Sequence, residues 1–140
     1  MTDLKTFIES TLDADASDYA HLYLGCEFIV EYAHDNTRYK DVMSMVTDTG
    51  SVFGFGDLEF FPETEGVTLK LVLTAAHEMM PEQREKYYAL CKKIQSNDQI
   101  TNVDTPESLR YLFSRGIDAF DLIERGLAVD KKELPNMKFD

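Results

Sequence analysis

No apolar run in this sequence approaches the roughly 18 residues that a membrane-spanning helix needs. Cysteine is scarce: Cys26 and Cys91 form no CxxC pair, so neither a zinc-binding spacing nor a disulfide framework is present. No Asn is followed two places on by Ser or Thr, which removes N-glycosylation acceptors. The opening MTDLKTFIES is amphipathic and partly acidic, unlike a secretory leader. Together these features point to a reducing, cytoplasmic setting with no membrane contact.

Positive charge is the next shortage. The 140 residues carry 26 Asp and Glu against 14 Lys and Arg, a formal net charge of −12. The deficit is uneven: the first 65 residues hold 14 acids and 3 bases (Lys5, Arg38 and Lys40), and no base occurs between Asp41 and Leu69. The remainder, with 12 acids and 11 bases, is nearly neutral. Direct nucleic-acid binding is excluded on this count, because phosphate contacts need Lys and Arg. A one-sided negative charge costs self-repulsion and is of use when a positive partner meets it.

Hydrophobic residues, at 44%, suffice for one core in a chain of one-domain length. Leu4, Phe7, Ile8 and Leu12 recur at helical spacing, predicting an N-terminal helix over 3–12 that Thr2 can cap. Leu22, Leu24, Cys26, Phe28, Val30 and Tyr32 alternate with His21, Tyr23, Gly25, Glu27, Ile29 and Glu31, predicting a strand over 21–32. A rival helix would align Tyr19, Leu22, Tyr23, Cys26 and Val30. Further strands are expected over 39–47, over 51–61 with a bulge or a close backbone approach at Gly54 and Gly56, and over 67–75, where alternation is clearest.

The period then lengthens. Pro81 fits a first helical position, and Tyr87, Leu90, Cys91 and Ile94 form an apolar stripe; Ser96–Thr101 reads as a loop. Thr105-Pro106-Glu107 starts a helix that Gly116 ends, and Asp118 can cap a short last helix through Arg125. The expected fold is therefore α+β: an N-terminal helix, a four-stranded antiparallel meander, then three C-terminal helices packed on one sheet face. Residues 1–129 form the domain, and 130–140 read as a mobile tail in which Phe139 could dock.

The chemistry-bearing motifs mostly fail. Asp13, Asp15 and Ser17 open like a calcium loop, but Asp18 stands where glycine is required and Leu24 where the bidentate Glu belongs. His77-Glu78 is not an HExxH zinc pattern, and a Cys–His pair could arise only through folding. Phe53-Gly54-Phe55-Gly56 lacks the GxGxxG spacing and the lysine of a phosphate loop. Residues 105–125 carry a net charge of −1, against the basic character of a DNA-reading helical pair. No cofactor or metal site is spelled out.

What remains is acidic. Asp57 and Glu59, two apart on a strand, point to one face about 7 Å apart; Glu27 and Glu31 lie on the polar face of the first strand. Four carboxylates could then share an open sheet face, extended by Glu63 and Glu65, with Phe55 as an apolar anchor among them. The expected function is a non-enzymatic acidic binding protein that engages a basic partner protein, such as a nuclease, a DNA-binding enzyme or a secreted effector. It would be of inhibitor, immunity or anti-defence type, or a nucleic-acid mimic. The alternative is a small enzyme using the same carboxylates, with or without a divalent metal.

Overall fold

The computed structural model describes residues 16–140. The helix expected over 3–12 and the Asp13–Asp15 half of the acidic turn lie outside them. The first described element is α1 (Ser17–Ala20), continued by a 3-10 turn over His21–Tyr23. Both readings of 21–32 are thus half right. Helical spacing buries Tyr19 and Tyr23; Gly25, at φ +90°, then turns the chain; and β1 (Glu27–Tyr32) begins only after it.

β2 (Thr37–Val46), β3 (Val52–Gly54), β4 (Glu59–Phe60) and β5 (Val67–Leu73) follow. β1 to β4 form an antiparallel meander, but not the expected one, in which 67–75 is the fourth strand. β5 does not extend it but returns to pair antiparallel with β1, Ile29 opposite Lys70 and Phe28 opposite Leu71. Residues 51–61 are not one bulged strand: the glycines let the chain fold back, so β3 and β4 pair through Val52–Phe60 and Phe53–Glu59.

The C-terminal half corrects the expected architecture most. α2 (Pro81–Leu90) starts at its proline as anticipated, but Cys91 is extended at ψ 154°, so the chain leaves the helix there. Lys92–Ser96 and Gln99–Val103 form β6 and β7, a hairpin turned by Asn97 and Asp98 at φ +49° and +65°. Ile94 therefore leaves the helical stripe and stands exposed on β6. β-branched Ile94, Ile100, Thr101 and Val103 favour the strand. α3 (Pro106–Ser114) matches its expectation: Thr105 accepts the Ser108 N–H at 3.0 Å, and the Ser108 hydroxyl accepts the Thr105 N–H at 2.8 Å.

The short helix expected over 118–125 does not form. Asp121 at φ +56° breaks the helical path. The buried Asp118 carboxylate caps a turn instead, accepting the N–H groups of Phe120, Leu122 and Ile123 at 3.2, 2.9 and 2.9 Å. The chain then lays β8 (Ala128–Asp130) parallel to β5, Val129 beside Val72. The result is a six-stranded mixed sheet in the order β4-β3-β2-β1-β5-β8, plus the separate β6–β7 hairpin. Three helices packed on one sheet face are not what covers it: α2 buries no residue.

One face of the sheet carries the core. Phe28, Val30, Met43, Leu69, Leu71 and Leu73 meet Tyr19, Tyr23, Leu112, Ile117, Phe120 and Leu122, all buried. Each such side chain contributes about 1.5–3 kcal/mol relative to exposure. Rings interlock across the layer, with Tyr23 edge-on to Phe113 at 5.2 Å and Phe113 stacked on Phe120 at 5.7 Å.

The opposite face holds Ile29, fully buried, among charged neighbours. Residues 130–140, read as a tail, run from β8 to β2. After a 3-10 segment over Lys131–Asn136, Lys40 lies over the Phe139 ring at 5.5 Å. Asp140 then bonds both backbone groups of Arg38: its N–H donates to the Arg38 carbonyl at 2.8 Å, and its Oδ2 accepts the Arg38 N–H at 3.0 Å.

Candidate functional site: the acidic sheet edge

The β3–β4 hairpin forms one edge of the sheet, and Phe53-Gly54-Phe55-Gly56 shapes its tip. The Gly54 N–H donates to Leu58 O at 2.9 Å, and the Phe55 N–H reaches across to Val42 O at 3.1 Å. Asp41 on β2 completes the turn. Its Oδ1 accepts the Val42 N–H at 2.7 Å and its Oδ2 the Gly56 N–H at 3.0 Å. This carboxylate occupies the space in which a side chain at 54 would start, its Oδ2 standing 2.0 Å from that Cβ position; at 56 the same oxygen makes a tight contact of 3.0 Å. The consequence is a fixed tip with Phe55 directed outward, 77% exposed.

A register shift between Met43 and Met45 decides what lies behind the tip. Met43 is fully buried, whereas Met45, opposite Phe53, is half-exposed. The Phe53 ring meets Phe61 edge-on at 5.8 Å, and Phe61 is itself exposed. Phe55, Met45 and Phe61 therefore offer apolar surface along this edge, while Val52 and Phe60 point into the core.

The anticipated acids divide into two groups. Asp57 at the tip, Glu59 on β4, and Glu63 and Glu65 in the connection to β5 are all exposed; Glu65 stands at the far end of that connection, where the Gly66 carbonyl accepts the Ala33 N–H at 2.8 Å. Glu27 and Glu31 do not join them. On β1, with β2 and β3 intervening, they stand three strand spacings from Glu59, roughly 14 Å. They are also neutralised in place: Glu27 pairs with Lys40 at 3.1 Å, and Glu31 with Arg38 at 3.7 Å and Lys70 at 3.5 Å. Cross-strand register sets these pairs, since Arg38 lies opposite Glu31 and Lys70 is drawn beside it by β5.

The cysteines serve packing. Cys91 is buried; Cys26 is half-buried, with Sγ 3.8 Å from the Phe113 carbonyl, and burial raises its thiol pKa against the opposing pull of Lys131. Among the described residues, no three His, Cys, Asp or Glu side chains are grouped as a metal ion would need. No helix among them is long and apolar enough to cross a membrane.

Sequence reasoning missed Asp41 and Met45. Asp41 had one available signal, an acid facing a glycine pair that reads as a tight backbone approach. Met45 had none, because the bulge that turns it outward is a pairing property. No family model, curated protein or solved structure matches this chain.

Proposed function

We propose that this protein is a non-enzymatic binding protein whose β3–β4 edge engages a basic surface on a partner protein. The observation that carries the reading is the composition of that edge and of the chain leaving it: Asp57, Glu59, Glu63 and Glu65 within nine residues, following the exposed Phe55, in a stretch without Lys or Arg from Asp41 to Leu69. An apolar anchor rimmed by charge of one sign is how interfaces combine affinity with partner choice. The rim speeds encounter with a cationic surface and discriminates against anionic ones; the anchor supplies the burial that holds the complex.

The reading narrows the contact surface to Asp57, Glu59, Glu63, Glu65 and Phe55 and releases Glu27 and Glu31 from it, since their charge is already matched by Lys40, Arg38 and Lys70. A blocker of a nuclease, of a DNA-binding enzyme or of a secreted effector would each use such an edge.

The test is capture from the native host by the wild-type chain and by the variant carrying Asp57→Lys, Glu59→Lys and Glu63→Lys. A basic protein retained by the wild type, lost from the triple variant and weakened by raised salt is the expected result. Equal retention by both chains at low salt overturns it.

A further inference from the structure

The turn of the β1–β2 hairpin holds a second feature. Tyr32, the last residue of β1, stands edge-on to Tyr39 of β2 at 5.7 Å and edge-on to His34 at 6.1 Å. The three rings, with Asp35, Thr37 and Leu58, line an open cavity of about 330 Å³. Asp35 is fixed at its wall: Oδ1 accepts the Thr37 N–H at 3.1 Å and the Thr37 hydroxyl at 2.7 Å, while Oδ2 lies 3.3 Å from His34 Nε2. The Thr37 hydrogen bonds hold this carboxyl below the usual carboxylate range, so it is anionic at neutral pH. Leu58, flanked by Asp57 and Glu59, joins the cavity to the acidic edge.

Near-perpendicular rings beside a carboxylate form a receptor of definite chemistry. A cation over a tyrosine face is attracted by the ring quadrupole, and a fixed carboxylate in the wall of the same cavity adds a full negative charge. An anion would face repulsion there, and a neutral apolar group would gain nothing from Asp35. The three-donor ammonium of lysine is compact and sits on a slender apolar stem that can run along Leu58.

We infer that the cavity between Tyr32, Tyr39 and Asp35 receives the ammonium head of a lysine side chain projecting from the basic partner. The inference deepens the proposed function and rests on its partner being cationic. The β3–β4 edge then supplies broad attraction, and this cavity fixes register by seating one residue.

The full-length chain is titrated with Nα-acetyl-lysine methylamide at constant ionic strength, following the tyrosine ring resonances by NMR. Saturable shifts at Tyr32 and Tyr39 are expected, absent with the Nε-acetylated probe, which has the same stem without the charge. Tyr39→Ala should weaken binding about tenfold, and Tyr39→Phe, which keeps the ring face, by no more than about twofold. Asp35→Asn should weaken it several-fold. Tyr39 is partly exposed, so its replacement leaves the core intact.

Absence of a saturable shift, equal binding of the acetylated probe, tighter binding of the arginine analogue, or undiminished binding by Tyr39→Ala each overturns the inference. Its failure is separable from failure of the binding reading. Capture that depends on Asp57, Glu59 and Glu63 without probe binding sinks the cavity alone; probe binding with capture insensitive to those acids sinks the edge alone.

Discussion

A Cβ on Gly54 would lie 2.0 Å from Asp41 Oδ2 and 2.3 Å from Asp41 Cγ. Backbone and carboxylate interlock, and the orientation of the whole acidic tip depends on this fit. Gly54→Ala should therefore destabilise the protein by about 1–3 kcal/mol. Combining it with Asp41→Ala removes the two nearest atoms, so the double variant should lose less than the sum of the two single changes. Urea midpoints of the four proteins check this, and simple additivity refutes the interlock.

Tyr23 is a buried bridge: its hydroxyl donates to the Ile117 carbonyl at 2.9 Å and accepts the Ala119 N–H at 3.0 Å. Tyr23→Phe leaves two buried backbone groups without this partner and should cost about 1–3 kcal/mol. Burial, with the nearby Asp118 and Cys26 adding to it, raises the phenol pKa above its ordinary value of 10.0. A group whose folded pKa is raised contributes stability that is fully present below the unfolded value and is lost as pH climbs toward the folded one. Wild-type stability should accordingly fall more steeply above about pH 10 than that of Tyr23→Phe. Denaturation at pH 9, 10 and 11 measures both slopes, and parallel curves would contradict the assignment.

Asp118 holds the 118–123 turn through three backbone N–H groups. Asp118→Ala should cost about 2–4 kcal/mol, and Asp118→Asn, which keeps one acceptor oxygen, noticeably less. Hydrogen exchange at Leu122 and Ile123 should accelerate in the alanine variant. Unchanged exchange there would mean that core packing, not the carboxylate, holds the turn.

The β6–β7 hairpin stands with every residue exposed, and a two-stranded ribbon of that kind is marginal in water. Its turn places both Asn97 and Asp98 in the left-handed region. Asp98→Gly relieves the second position and should slow amide exchange along the hairpin by several-fold. The global melting transition should barely move, because the hairpin buries no core residue. Faster exchange in that variant would point to a role for the Asp98 side chain in holding the turn.

How much was legible follows the range of the interactions. Val67–Leu73 and Pro106–Ser114 were readable because alternation, a Thr105 cap and an N1 proline are local signals, decided within a few residues. The chain from Leu90 to Ser96 misled because Cys91 and Ile94 continue the helical spacing of Tyr87 and Leu90, and Asn97-Asp98 is a weaker hairpin signal than Asn-Gly. β8 carried no local signal at all: three residues become a strand only because Leu71, Val72 and Leu73 offer a free edge far back in the sequence.

The candidate site divides the same way. Asp57, Glu59, Glu63, Glu65 and Phe55 were recognisable from composition, being neighbours along one segment. That Glu27 and Glu31 belong elsewhere depended on the register that sets Arg38 and Lys70 beside Glu31 and Lys40 beside Glu27.

The amino-acid sequence by itself determined the imbalance of charge, the absence of bases from Asp41 to Leu69 and the elements whose periodicity is strong, because these are properties of residues and of their near neighbours. Tertiary structure alone decided which carboxylates stay free, that Met45 faces outward, that Asp41 fills the space of the missing side chain at Gly54, and that Tyr32 and Tyr39 meet at right angles beside Asp35. Each of these depends on strand order and register, and pairing between distant segments is fixed by the packing of the whole chain.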